Sequence, residues 1–317
     1  APLCSVPVPF DGSQAERDRR AKVLLDCFEH AARLQRPAAF CRYSAGLTLD
    51  ARWLAPPSRV ADEVCGQLLN RDGNAGAAVA VRICRDEATS FACERWVHAS
   101  SCADAKQRKA YEACPHLQRS LLMFRHEGAA FLVLPRADRS LRQLLAAGAV
   151  SFSATELTRL ARQLFTALSL LHANGLAHGG VSLDSVLLKP VAAAAAAAAD
   201  GSVAVDIMLG ALDSCRAVDA KGVVAADAAG GAGAGSAAGV AGDGRADDVR
   251  AAALVLLQCA AGASLGASSS SSSEAARSAL AALLPEAASA LLHGVLSPEA
   301  GEWPTAAELA GAFAQQP

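Results

Sequence analysis

The chain is poor in the features that most readily betray a function. Among 317 residues there are only 2 Tyr, 3 Trp and 9 Phe, and 29 Lys+Arg are set against 31 Asp+Glu for a net charge of -2. So even a balance leaves no electrostatic footprint for nucleic acid or an anionic membrane. Basic clusters such as Arg17-Asp18-Arg19-Arg20 are short and mixed in sign, as on a solvated helix face. No apolar run reaches the roughly 18 to 20 residues that a membrane span requires; the nearest, 251–263, is alanine-rich and broken by Gln258. No secretion signal opens the sequence, so any targeting signal is expected to lie outside it. There is no Cys-x-x-Cys pair and no Cys/His spacing suited to zinc, so no zinc site is expected.

Cysteine itself is plentiful. Of 10 in all, Cys4, Cys27, Cys41, Cys65, Cys84, Cys93, Cys102 and Cys114 precede residue 115. An even, crowded set points to disulfides in an oxidising compartment. The competing reading is a set of buried thiols acting as small hydrophobes. Pairings are not legible in the sequence.

Three stretches lack the varied apolar residues that build a core: polyalanine at 191–199, Ala/Gly at 225–244, and 263–273 with its serine run from 268. They read as insertions. Elsewhere the pattern is ordered. Residues 16–35 carry Ala21, Leu24, Leu25, Phe28 and Ala32 on one helical face. Strand-like runs stand at 77–84, 121–124 and 131–134, and a helix-like stretch at 58–69. Ser153-Ala154-Thr155-Glu156 has the form of a capping box, and Leu157, Leu160, Ala161, Leu164, Leu168 and Leu171 follow as an apolar stripe. Residues 248–259 are apolar nearly all round, as in a helix buried on every side. A strand-rich part followed by a helix-rich part predicts an α+β fold.

Residues 171–188 resemble the segment of protein kinases that forms the catalytic loop, His-Arg-Asp-Leu-x-x-x-Asn. His178 stands at the histidine, Gly179 at the arginine, Gly180 at the catalytic aspartate and Ser185 at the metal-binding asparagine. Val79-Ala80-Val81-Arg82 is similar to the Val-Ala-Ile-Lys strand, with Arg82 at the lysine, and Leu134 falls at the gatekeeper before the hinge. Asp248-Val249 opens a stretch like the family's buried helix, and Trp303-Pro304-Thr305 through Leu309 resembles its closing Arg-Pro-Thr-x-x-Glu-Leu. The match runs from about residue 60 to the end.

The resemblance implies a two-lobed protein-kinase-like fold: an N-terminal extension at 1–55, a small lobe at 56–134 and a large lobe at 135–317. It also implies lost chemistry. Phosphoryl transfer rests on positioning and charge stabilisation, and Gly180 has no carboxylate to orient a hydroxyl. Counting through the strand-like 203–205 puts Ile207 at the aspartate of Asp-Phe-Gly, with Asp206 one residue away and so on the opposite strand face. No G-x-G-x-x-G precedes Val81, and a forked guanidinium at Arg82 does not replace a compact ammonium. Ala234-Gly235-Ser236 and Trp303 replace both partners of the ion pair that anchors the family's activation segment. His178 and Asp248 are expected to serve as framework.

The hinge Leu134-Pro135-Arg136-Ala137-Asp138-Arg139-Ser140-Leu141 is similar to that of the secreted rhoptry-type kinases of apicomplexan parasites. The missing glycine loop and the helix-like 58–69 point to the branch without that loop. The resemblance implies a catalytically inactive pseudokinase with no metal and no cofactor, binding ATP weakly or not at all, secreted into a parasite vacuole or cyst wall as a protein-binding or structural component. The alternatives are a regulator of an active kinase, or a divergent nucleotide-dependent transferase using Asp206 or Asp213.

Overall fold

A computed structural model describes residues 46–53, 61–69, 75–84, 91–126, 129–147, 152–189, 206–219, 243–261, 273–296 and 303–314. They are mixed α and β and fall into two compact units. One takes residues up to His98 together with Arg119–Arg136; the other takes Ala99–Gln118 and everything from Ala137 onward.

The first unit is built on an antiparallel sheet of five strands: β1 Gly46–Trp53, β2 Ala61–Leu69, β3 Ala75–Cys84, β4 Leu122–His126 and β5 Ala129–Pro135, in the order β1-β2-β3-β5-β4. β5 is apolar without interruption because it is a central strand; Phe131, Leu132, Val133 and Leu134 are all essentially buried. Val79 and Val81 of β3 share that core, with Arg82 paired to Leu132 in register. Phe91, Cys84, Ala130, Leu132 and Leu134 pack as one cluster with Met123 against it. Helix α1, Ala92–Ser101, follows β3.

Two sequence expectations change here. The helix-like 58–69 is a strand from Ala61, because β1 and β3 flank it and take its backbone hydrogen bonds on both sides. A short apolar run carries too little periodicity to override that pairing. And β1 lies inside the supposed extension 1–55, so the sheet begins ahead of residue 56.

The second unit is mainly helical. Helix α2 spans Ala105–Ala113, α3 Leu141–Ala146, α4 Ala154–Ala173, α5 Gly244–Ala261, α6 Ser273–Leu283, α7 Glu286–Leu296 and α8 Ala306–Ala314. The capping box of α4 forms as the sequence predicts: the Ser153 hydroxyl accepts from the Glu156 amide, and the Glu156 carboxylate accepts from the Ser153 amide. Its apolar stripe is fully buried, and Phe165 stacks on Phe313 of α8 at 6.0 Å between centroids. α5 is not buried on every side as its sequence suggests: Asp247, Arg250, Leu254 and Gln258 form an exposed stripe at helical spacing, opposite a buried face that includes Val249, Ala252, Leu256 and Cys259. Trp303 lies under the guanidinium of Arg250. Short strands complete the unit: β6 Arg139–Ser140, just ahead of α3, pairs with β8 Val186–Leu188, which pairs with β9 Ile207–Leu209, and β7 Leu176–Ala177 pairs with β10 Arg216–Ala217.

Residues 243 and 244 belong to the helix rather than to the Ala/Gly insertion, since the Asp243 carboxylate caps α5 at the amides of Arg245 and Ala246. Ser273 likewise opens α6. The polyalanine run, residues 225–242 and 263–272, the helix expected at 16–35, the strand expected at 203–205 and residues 234–236 lie outside the described residues, as do Cys4, Cys27 and Cys41. Cys84 and Cys114 are buried, and Cys93 and Cys102 half-buried. Cys65 sits in β2, paired in register with Ala80.

Candidate functional site

His178, Gly179, Gly180, Ser185 and Asp248 meet on the chain that leaves α4. After β7 the backbone enters a tight loop at 178–185, and Asp248, at the buried start of α5, holds it. The Asp248 carboxylate accepts hydrogen bonds from the amides of His178 (2.6 Å) and Gly179 (2.8 Å), and its third partner is the ring of His172 at 3.0 Å. Hydrogen bonds to a carboxylate are among the strong ones, and this one is only 2 % exposed.

His178 is fully buried. Its Nε2 lies 2.8 Å from the Gly210 carbonyl and its Nδ1 lies 3.2 Å from the Gly180 amide nitrogen. A carbonyl only accepts and an amide N–H only donates, so the ring is neutral with its proton on Nε2. Burial pushes its pKa down, against the Gly210 carbonyl, Asp248 and Asp213, which favour the charged form.

The two glycines have separate reasons. Gly179 has φ +69°, a region a side chain rarely tolerates, and a Cβ there would lie 2.9 Å from the Ser214 carbonyl. Gly180 has no room: a Cβ would come within 2.7 Å of Ser214 Oγ and 3.1 Å of its Cβ. Ser214 sits in the 3-10 turn Leu212–Ser214, and its one hydroxyl proton is shared between the carbonyls of His178 (2.9 Å) and Ala211 (2.8 Å). The space for a side chain at residue 180 is therefore filled from the opposite segment.

Ser185 is buried and internally satisfied. Its hydroxyl donates to the Ser182 carbonyl and accepts from the Ser182 amide, while the Ser182 hydroxyl accepts from the Ser185 amide. With its proton and a lone pair committed, it is a poor ligand for a cation.

Ile207 does not face the loop at all. It is buried at the start of β9, its amide donating to Gln163 and its carbonyl facing the His116 ring. The residue opposite the loop is Gly210, whose carbonyl takes the His178 ring and whose amide donates to the Ser185 carbonyl at 2.8 Å. Gly210, and not Ile207, is thus the residue of this segment that touches the loop. Gly210 offers no carboxylate either, since a Cβ there would meet Leu187 Cδ1 at 2.7 Å and Gln118 Oε1 at 2.8 Å.

Asp206 points elsewhere. Its Oδ1 accepts from Arg159 and from Gln163, each at 2.7 Å. Partial burial works to raise its pKa, but the Gln163 hydrogen bond and the Arg159 charge outweigh that and hold the carboxyl below its usual range. Asp213 lies in the 3-10 turn. Among the described residues no group of three or more His, Cys, Asp or Glu side chains gathers in a way that could hold a metal ion.

In the first unit Arg82 forms a long ion pair, 4.0 Å, with Glu94 of α1. Glu94 is 3 % exposed and also accepts from the Ser120 hydroxyl. Sequence reasoning passed over Glu94; the one signal was a carboxylate between apolar neighbours on an amphipathic helix. Between β1 and β2 the sequence of residues 54–60 contains Pro56 and Pro57 and no glycine. Proline offers no N–H to a phosphate.

Compared with known proteins, the chain matches no family model and no curated sequence.

Proposed function

We propose that the chain is a pseudokinase: a two-lobed protein-kinase-like fold that transfers no phosphate and works by binding protein partners. The observation that carries this reading is Ser214, which stands where the side chain of residue 180 would have to be. A catalytic aspartate is missing from the sequence, and the space for it is closed as well.

Four further features support the reading. A buried carboxylate at the head of a buried helix accepts the amides of the loop. A cation on the third strand pairs with a helix carboxylate, as the strand lysine of the family pairs with its helix glutamate. A five-stranded antiparallel sheet precedes a helical unit. Through its bonds to His178 and Ser185, Gly210 takes the place we assign to the aspartate of Asp-Phe-Gly. With glycine at both acidic positions, a self-satisfied Ser185 and Arg82 engaged by Glu94, the site offers little to a magnesium nucleotide. Asp206, the carboxylate a transferase reading needs, is held by Arg159 and Gln163 instead.

A secreted setting in a parasite vacuole or cyst wall rests on the hinge at 134–141 and the cysteine count. The helix-like 58–69 no longer supports the branch without a glycine loop, since that stretch is β2; the glycine-free 54–60 supports it in its place.

The test is a thermal-shift titration with ATP and Mg²⁺ or Mn²⁺, run beside a labelled-phosphate transfer assay. Specific binding adds RT ln(1 + [L]/Kd) to stability, about 2.7 kcal/mol at a hundredfold excess over Kd. The melting temperature is expected to stay put at millimolar nucleotide. Transfer of label that disappears in Asp206→Ala would overturn the reading.

A further inference from the structure

Beside the Asp248 carboxylate, one titratable ring takes part in the loop's attachment. His178 is held neutral between an acceptor at Nε2, the Gly210 carbonyl, and a donor at Nδ1, the Gly180 amide. A proton added at Nδ1 would set two donors against each other at 3.2 Å. It would also place a cation in a site with no access to water.

The charged groups around the ring do not rescue it. Asp248 of α5 already accepts from the His178 and Gly179 amides and from His172 of α4. Asp213 of the 3-10 turn favours the proton, and His172 opposes it when charged. The side chain of Arg216 in β10 lies over Gly179, its Nε 3.6 Å from where a Cβ would be. Ser214 supplies only neutral hydrogen bonds.

We propose that the 178–180 loop carries an acid-triggered release, in which proton uptake at His178 Nδ1 breaks the ring's hold on the Gly180 amide and frees the loop from the Gly210–Ser214 side. The device stands on the loop geometry and does not depend on the pseudokinase reading. Because burial lowers the pKa of the closed ring, closed loops lack a proton that open loops carry below about pH 6.5, the ordinary histidine value. One proton taken up per opening makes the opening equilibrium rise about tenfold for each pH unit in that window.

Hydrogen exchange followed by NMR on the full chain tests this between pH 7.5 and pH 5, with rates corrected for intrinsic exchange. Protection at the Gly180 amide is expected to fall about tenfold per pH unit below about 6.5, while core amides of α4 such as Leu164 and Leu168 hold theirs. Loss of loop and α4 protection together, or loop protection that stays flat, overturns the proposal. His178→Asn, which takes up no proton in this range, should flatten the response of Gly180; a wild-type slope in that variant also overturns it. Should that variant fail to fold, the wild-type comparison of loop with α4 decides alone.

Discussion

An aspartate introduced at residue 180 would have to displace Ser214, whose Oγ lies 2.7 Å from the place its Cβ would take. Ser214 in turn is tied to two carbonyls. Gly180→Asp is therefore expected to destabilise the protein by about 1–3 kcal/mol, as overpacking does, and to restore no phosphate transfer. Combined with Ser214→Gly, the loss should be smaller than the sum of the single losses by about 0.5 kcal/mol or more, which a double-mutant cycle in urea would measure. Strictly additive losses would show that the two positions do not compete. Ala211 gives a second handle. It is the one non-glycine residue with positive φ among those described, at φ 55°. A side chain in that conformation costs about 1–2 kcal/mol, part of which glycine returns through its freer unfolded chain. Ala211→Gly should raise stability by up to about 1 kcal/mol, and a lower urea midpoint in that variant would contradict the strain. At this scale little was legible beforehand. Gly180 reads from sequence as an absent carboxylate; that its space is filled depends on Ser214, 34 residues further on.

At the scale of elements, local rules carry further. The 20-residue α4 is readable from its cap and its stripe, because both obey spacings of three and four within one segment. Ser153→Ala removes the side chain that caps the Glu156 amide and should lower stability by about 1 kcal/mol; a thermal melt unchanged by the substitution would show that packing against α8 alone sets the helix start. β2 shows where such rules stop. Its sequence, Ala-Asp-Glu-Val-Cys-Gly-Gln-Leu-Leu, alternates poorly and contains a glycine. It is a strand because β1 and β3 flank it. Likewise the register of β9 is set by its pairing, Val186 with Leu209 and Leu188 with Ile207, which no count along the chain from 203–205 could supply.

Across the described residues the histidines and carboxylates with shifted pKa values act in one direction. His178 and His116 are both lowered, chiefly by burial, so the unfolded chain takes up their protons first and stability is lost as pH falls below about 6.5. Asp206 is also lowered; what it contributes persists above the ordinary aspartate value and is lost only as pH falls through its still lower folded value. Stability by urea unfolding should thus be flat from pH 8 to about 7, decline below about 6.5 and steepen again below about 4. A maximum near pH 5 would contradict the assignment of neutral histidines. The cysteines offer a separate check on the whole chain. Burial pushes the Cys259 thiol up to about 12, so it should resist alkylation in the native state. Mass spectrometry of alkylated, unreduced protein should separate the two readings of the other cysteines: all 10 modified after unfolding means thiols throughout, and any shortfall counts disulfides.

By itself the sequence determined the helices with complete internal signals, the strands with uninterrupted apolar runs, and glycine rather than a carboxylate at 180. Each of these is a property of neighbouring residues and needs no partner to be read. Tertiary structure alone decided the rest: that Glu94 meets Arg82, that Gly210 rather than Ile207 faces the loop, and that Ser214 closes the space beside Gly180. Those outcomes join residues separated by 12 to 36 positions, and such contacts are fixed only when pairing and packing bring the segments together.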